Sequence, residues 1–121
     1  MQKDFFSGGR YLPEIIKISE KKKELKKKFS KLPLASVDDY YLGIVKFQGR
    51  YRLHTHDRDE IFYVLDGKLV IEVEKRSYIL EPGEAILIKK GEEHASMSEK
   101  ETYLLVFESQ EINTTFLNKE E

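Results

Sequence analysis

The sequence contains no cysteine. That absence excludes disulfides and thiolate chemistry, and it leaves any metal site to nitrogen and oxygen ligands. Charge of one sign is also missing: 21 Lys and Arg stand against 22 Asp and Glu, a formal net charge of −1. Electrostatics therefore favours neither nucleic acid nor an anionic membrane as partner. No apolar run approaches the ~20 residues that a membrane helix needs. The opening MQKDFFSGGRYLPEII has no basic segment followed by a long apolar one, so no signal peptide is expected and a soluble, cytoplasmic protein is. Histidine is scarce as well, with three in 121 residues, at positions 54, 56 and 94.

What is present falls into unlike parts. Residues 1–36 read as an N-terminal extension with one amphipathic helix. In ISEKKKELKKKFSK (18–31), Ile18, Leu25 and Phe29 recur at helical intervals and Ser19 stands where an N-cap belongs. The Lys run surrounds an apolar stripe, so it reads as a solvated helix face rather than a nucleic-acid patch. From Val37 the apolar period becomes two, with turn signals every eight to twelve residues. Strands are expected over 40–47, 51–56, 61–65, 68–74, 77–80, 85–88, 94–98 and 102–108. Asp66-Gly67 between FYVL and KLVIEV reads as a two-residue hairpin turn. Short, evenly spaced strands without helices between them predict an all-β barrel or sandwich over 37–110, followed by a tail over 111–121.

The residues with chemistry concentrate in HTHDRDE (54–60). Residues two apart on a strand project to one side, so His54 and His56 point together. Glu60 follows after three residues, room for the chain to bend and return a carboxylate. His94 opens a later strand that can lie beside or opposite the first. Three imidazoles and one carboxylate suit Fe, Mn, Ni, Cu or Zn and leave one or two coordination positions open.

The same residues carry a resemblance. Gly49, HTHDRDE, the six residues IFYVLD and then Gly67 resemble the first motif of the cupin family. GEAILIKKGEEHASMS resembles the second, with Gly83, Gly91 and His94 in place. Gly49 stands one residue closer to His54 than is common, Lys89 replaces a proline and Ser98 an asparagine. The likeness covers residues 40–108, is that of a small single-domain cupin, and extends weakly to Asn113-Thr114. It implies a jelly-roll barrel (a double-stranded β-helix) with one divalent transition metal per chain on His54, His56, Glu60 and His94. It also implies a homodimer, paired through an apolar sheet face.

Three functions follow from the resemblance as expectations. One is a metal-dependent dioxygenase-type oxidoreductase on a small organic substrate. The second is a sugar or sugar-phosphate isomerase, similar to the mannose-6-phosphate enzymes. The third is a non-catalytic binding or sensor module. For the pocket wall, period two places Arg52 on the face of His54 and His56, and Phe62 on that of Glu60. On the last strand either row, Tyr103, Leu105, Phe107 or Thr102, Leu104, Val106, can face the lumen. Arg52, Phe62, Tyr103 and Phe107 are the expected substrate contacts, with Arg52 either meeting a substrate anion or reaching the rim.

Overall fold

The computed structural model describes residues 12–118. After one short helix, α1 (Ile18–Lys22), the described residues form eight strands: β1 (Ser30–Val37), β2 (Tyr40–His56), β3 (Glu60–Asp66), β4 (Leu69–Val73), β5 (Arg76–Leu80), β6 (Ala85–Ile88), β7 (His94–Ser109) and β8 (Thr114–Phe116). Every pairing is antiparallel. The long strands β2 and β7 organise the rest, because they pair with each other over most of their length and bend together. Their outer halves belong to one layer, β1-β2-β7-β3-β6, and their other halves to a second, β8-β2-β7-β4-β5. Two layers sharing two bent strands make the jelly-roll expected from the sequence. Between them pack Phe47, Val64, Leu69, Ile71, Val73, Leu80, Ile88 and Leu104. Leu69, Ile71 and Val64 are fully buried, worth about 1.5–3 kcal/mol each relative to exposure.

The helix is shorter than its sequence pattern. It spans five residues, Lys17 takes the N-cap position without a side-chain cap, and Ser19 lies inside the first turn. A Lys-rich single turn has little to sustain it, and tertiary contacts take over from there. Leu25 is buried. Phe29 turns at φ 63°, donates its N–H to Lys46 O at 2.7 Å and sets its ring edge-on to Phe47, 5.1 Å between centroids. The chain thus enters β1 inside the stretch expected to be extension. Residues 1–11 and 119–121, parts of that extension and of the tail, lie outside the described residues.

Asp66-Gly67 is not a hairpin turn. β3 pairs with the later half of β7 and β4 with its first half, so the dipeptide carries the chain from one layer to the other across the bend of β7. Gly67 has φ +93°, and a Cβ there would stand 2.4 Å from Thr102 Oγ1 and 2.8 Å from Glu101 O. Close backbone approach, as well as the turn, demands glycine. The tight two-residue turn is instead Glu74-Lys75 between β4 and β5, with Val73 opposite Arg76 and φ of 49° and 72°, the signs that a type I′ turn needs.

Candidate metal centre

The shared strands build the site. His54 on β2 lies directly opposite His94 on β7, and their ring centroids are 4.1 Å apart. His56, two residues on, brings its ring to 4.7 Å from that of His54 and 5.1 Å from that of His94. One ligand nitrogen from each of the three lies within 4.8 Å of the others. Glu60 opens β3 after the Asp57-Arg58-Asp59 bend, and its Oε1 stands 3.1 Å from His56 Nε2 and 3.3 Å from His94 Nε2. His54, Glu60 and His94 are 3%, 3% and 0% exposed. The four residues that the resemblance implied as ligands are thus brought to one buried point, with His94 beside His54.

Each ring is held from behind. His54 Nδ1 lies 2.7 Å from Arg52 O and His94 Nδ1 lies 3.0 Å from Glu92 O. A carbonyl only accepts, so Nδ1 is the donor in both rings and Nε2 of the neutral imidazole carries the lone pair. His56 Nδ1 lies 3.0 Å from Thr114 Oγ1. Burial lowers the pKa of His54 to about 4, keeping it neutral near pH 7. Burial also acts against the charged form of His56, but the Glu60 carboxylate beside it leaves its pKa raised. Glu60 is lowered: burial opposes its charge, and the imidazoles of His56 and His94 beside its oxygen outweigh burial. Glu60 Oε1 and His94 Nε2 are nevertheless sealed from solvent without a well-formed hydrogen bond. Two unsatisfied buried electron-pair donors beside two further imidazoles are costly as they stand, and they fit a divalent transition metal.

The centre opens into a cavity of about 430 Å³, walled by Val45, Phe47, Phe62, Leu104 and Val106 among others. Phe62 therefore lies where its parity put it. Arg52 does not. The register slips between Tyr51 and His54, and this bulge reverses the alternation. Tyr51 consequently lines the cavity, while Arg52 is exposed with its guanidinium 4.4 Å above the ring of Phe116. On β7 the even row faces the lumen, through Leu104, Val106 and Glu108. Tyr103 and Phe107 point the other way: Lys22 Nζ sits over Tyr103 at 4.6 Å, and Phe107 stacks on Tyr40 at 5.4 Å. These three side chains are off the cavity wall.

The wall also carries polar residues that the pattern did not single out. Glu108, 4% exposed, lies opposite Glu60 on one side and Tyr41 on the other. It accepts a short hydrogen bond from the Tyr41 hydroxyl. Lys31 Nζ donates to Tyr41 Oη at 2.6 Å and to Glu108 Oε2 at 3.1 Å. Burial and the neighbouring Glu60 raise the pKa of Glu108; burial and Glu108 raise that of Tyr41. Glu108 was legible as a carboxylate continuing an apolar row. Lys31 was not, because its stretch read as helix.

Residues 43–108 match the family described as Cupin domain. Over 99 residues the chain is 31% identical to YdbB of Bacillus subtilis (strain 168), itself described as uncharacterized, covering 80% of this chain and 88% of that one. It is similar to the crystal structure of a cupin-2 domain containing protein from Shewanella frigidimarina, with a TM-score of 0.77 and 31% identity over 79% of this chain and 95% of the other. It is also similar to the DMSP lyase DddQ of Ruegeria pomeroyi, with a TM-score of 0.67 and 21% identity over 78% and 54% of the two chains. At that identity the likeness speaks for the fold alone.

Proposed function

The chain belongs to the cupin domain family, and from that premise we propose a metal-dependent enzyme acting on a small oxygen-bearing organic molecule. The observation that carries this reading is the pair of buried, unpartnered donors, Glu60 Oε1 and His94 Nε2, next to His54 and His56. These four residues would hold one divalent transition metal, which when bound supplies Lewis-acid polarisation of a substrate oxygen or, if redox-active, electron exchange. Val45, Phe47, Phe62, Leu104 and Val106 enclose the substrate and exclude water.

The most specific version is a dioxygenase-type oxidoreductase, in which the apolar wall protects a reactive intermediate. A redox-neutral isomerase is favoured by a separate observation, the Tyr41–Glu108 hydrogen bond. A phenol and a carboxylate on the cavity wall hold and move a proton at Tyr41 Oη. Among the described residues that line the cavity Lys31 is the one lysine or arginine, and it is engaged by Tyr41 and Glu108, which speaks against a phosphorylated substrate.

The test is elemental analysis of untagged protein and of His54→Ala, followed by turnover assays. A stoichiometric metal lost in His54→Ala supports the centre. Oxygen uptake with a diketone, phenol or thiol selects the dioxygenase; sugar turnover without oxygen selects the isomerase. Tight metal without turnover across both screens leaves a binding or sensor module and overturns the enzyme. Our reading places the protein in the cytoplasm as a homodimer. Among the described residues no helix is long and apolar enough to cross a membrane. On β3 and β6, Ile61, Tyr63 and Leu87 are exposed, an apolar face suited to a second copy. A sedimentation mass of one chain overturns the dimer.

A further inference from the structure

We infer that β8, the short strand near the C-terminus, is a strap that positions two of the imidazoles at the metal centre; this rests on the metal reading above. The strand has three residues, all exposed, and among the described residues it pairs with β2 alone, Thr114 opposite His56 and Phe116 opposite His54. Little apolar burial holds it in place. Its side chains nonetheless go to the ligands. Thr114 Oγ1 lies 3.0 Å from His56 Nδ1, and the Phe116 ring lies 5.8 Å from that of His54. Phe116 is itself flanked by Tyr51 at 5.8 Å and by Arg52 at 4.4 Å.

The strap is fastened at both ends to the segment that carries the two histidines. At its start, the Asp57 carboxylate accepts from Asn113 N–H at 2.8 Å and from Asn113 Nδ2 at 3.0 Å, while Asp57 N–H donates to Asn113 O at 3.3 Å. At its end, Leu117 N–H donates to Leu53 O at 3.2 Å.

His56 is the ring that needs this. His54 and His94 each find their Nδ1 partner in a carbonyl two residues upstream, a contact the local chain provides. The partner of His56 Nδ1 lies 58 residues away in sequence. Without it the ring keeps only the Glu60 oxygen 3.1 Å from Nε2 to orient it, and metal binding must then complete its ordering. Thr114 is therefore a positioning residue. Coupling is reciprocal, so a metal that favours the fastened strap must also tighten it.

Co(II) titrated into the metal-free, untagged full chain tests this, read by its visible absorption. Thr114→Val is expected to weaken Co(II) affinity about 10–100-fold, Thr114→Ser to restore most of it, and Asp57→Ala to weaken it by opening the clasp. Hydrogen exchange of the amides of residues 113–117 is expected to slow when Co(II) is added to the wild type. Thr114→Val and Asp57→Ala proteins that bind Co(II) as tightly as the wild type overturn the strap, as does unchanged exchange over 113–117. A readout without metal separates the two ideas: NMR relaxation of the His56 ring in the metal-free protein, which Thr114→Val is expected to mobilise. A wild type that takes up no Co(II) sinks the metal centre. The strap is then judged on that relaxation, and a His56 ring equally ordered in both proteins overturns it.

Discussion

The cavity has two unlike walls. One is the histidine wall, where His54 and His56 line the cavity and His94 lies buried opposite His54 on β7, the rings of His54 and His94 held by carbonyls two residues away. The other is the pair Glu108 and Tyr41, next to Glu60, with Lys31 reaching in from β1 over sequence separations of 10 and 77 residues. The first wall is assembled largely by local chain geometry and aims lone pairs at one point. The second exists only once β1, β2, β7 and β3 have paired side by side in one layer, and each of its charges depends on another side chain. A candidate site for an ion and a hydrogen-bonded phenol–carboxylate pair thus share one cavity yet are built in different ways. Damage to them should separate accordingly.

The largest effect is expected at the histidine wall. His94→Ala removes a fully buried donor and should abolish stoichiometric metal uptake while the far-ultraviolet circular dichroism stays that of the wild type. A variant that keeps its metal would show that the histidines do not hold it. Next comes Gly67→Ala, at the crossing that sets the bend of β7 for both walls. The added Cβ meets Thr102 Oγ1 at 2.4 Å at positive φ, and strain plus overpacking should cost about 3 kcal/mol in a denaturant titration. A loss below half of that would mean the bend yields easily.

Tyr41→Phe is the sharpest discriminator between the walls. It removes a donor from the buried Glu108 carboxylate, which should lower stability by about 1–3 kcal/mol and leave metal stoichiometry unchanged. Loss of metal in this variant would merge the two walls into one site. The smallest effect is pH-dependent and belongs to the metal-free protein. Folded His54 stays neutral down to about 4, whereas in the unfolded chain histidine takes its proton near 6.5. Between those values the unfolded state binds more protons, so stability falls as pH drops from about 6.5 towards 4. His56, with its pKa raised by Glu60, acts in the opposite sense. The His54 share is the slope that disappears in His54→Gln, measured as melting temperature against pH. An unchanged slope would remove His54 from the account.

The β class and the nearness of His54, His56 and Glu60 were legible, because period two and HTHDRDE are local signals. The strands expected over 40–47 and 51–56, and over 94–98 and 102–108, instead run on as the single bent β2 and β7, and β1 lies partly in a stretch that read as helix. Arg52 misled, since one slipped register between Tyr51 and His54 reverses which side chains face inward, and no residue type announces a bulge. Asp66-Gly67 misled for a related reason: glycine marked a real constraint, but the constraint was contact with Thr102 across the layers and not a turn between paired strands. Tyr103 and Phe107 lost to the even row of β7, a choice that alternation alone leaves open.

By itself, then, the sequence determined a β protein without thiols in which HTHDRDE sets two histidines and one acid close together, because those facts depend on residue type and short separations. Only the tertiary structure decided which face of each strand looks inward, that Lys31, Tyr41 and Glu108 meet, and that Thr114 reaches His56. Each of these depends on strand register, set by pairing between residues far apart in the chain.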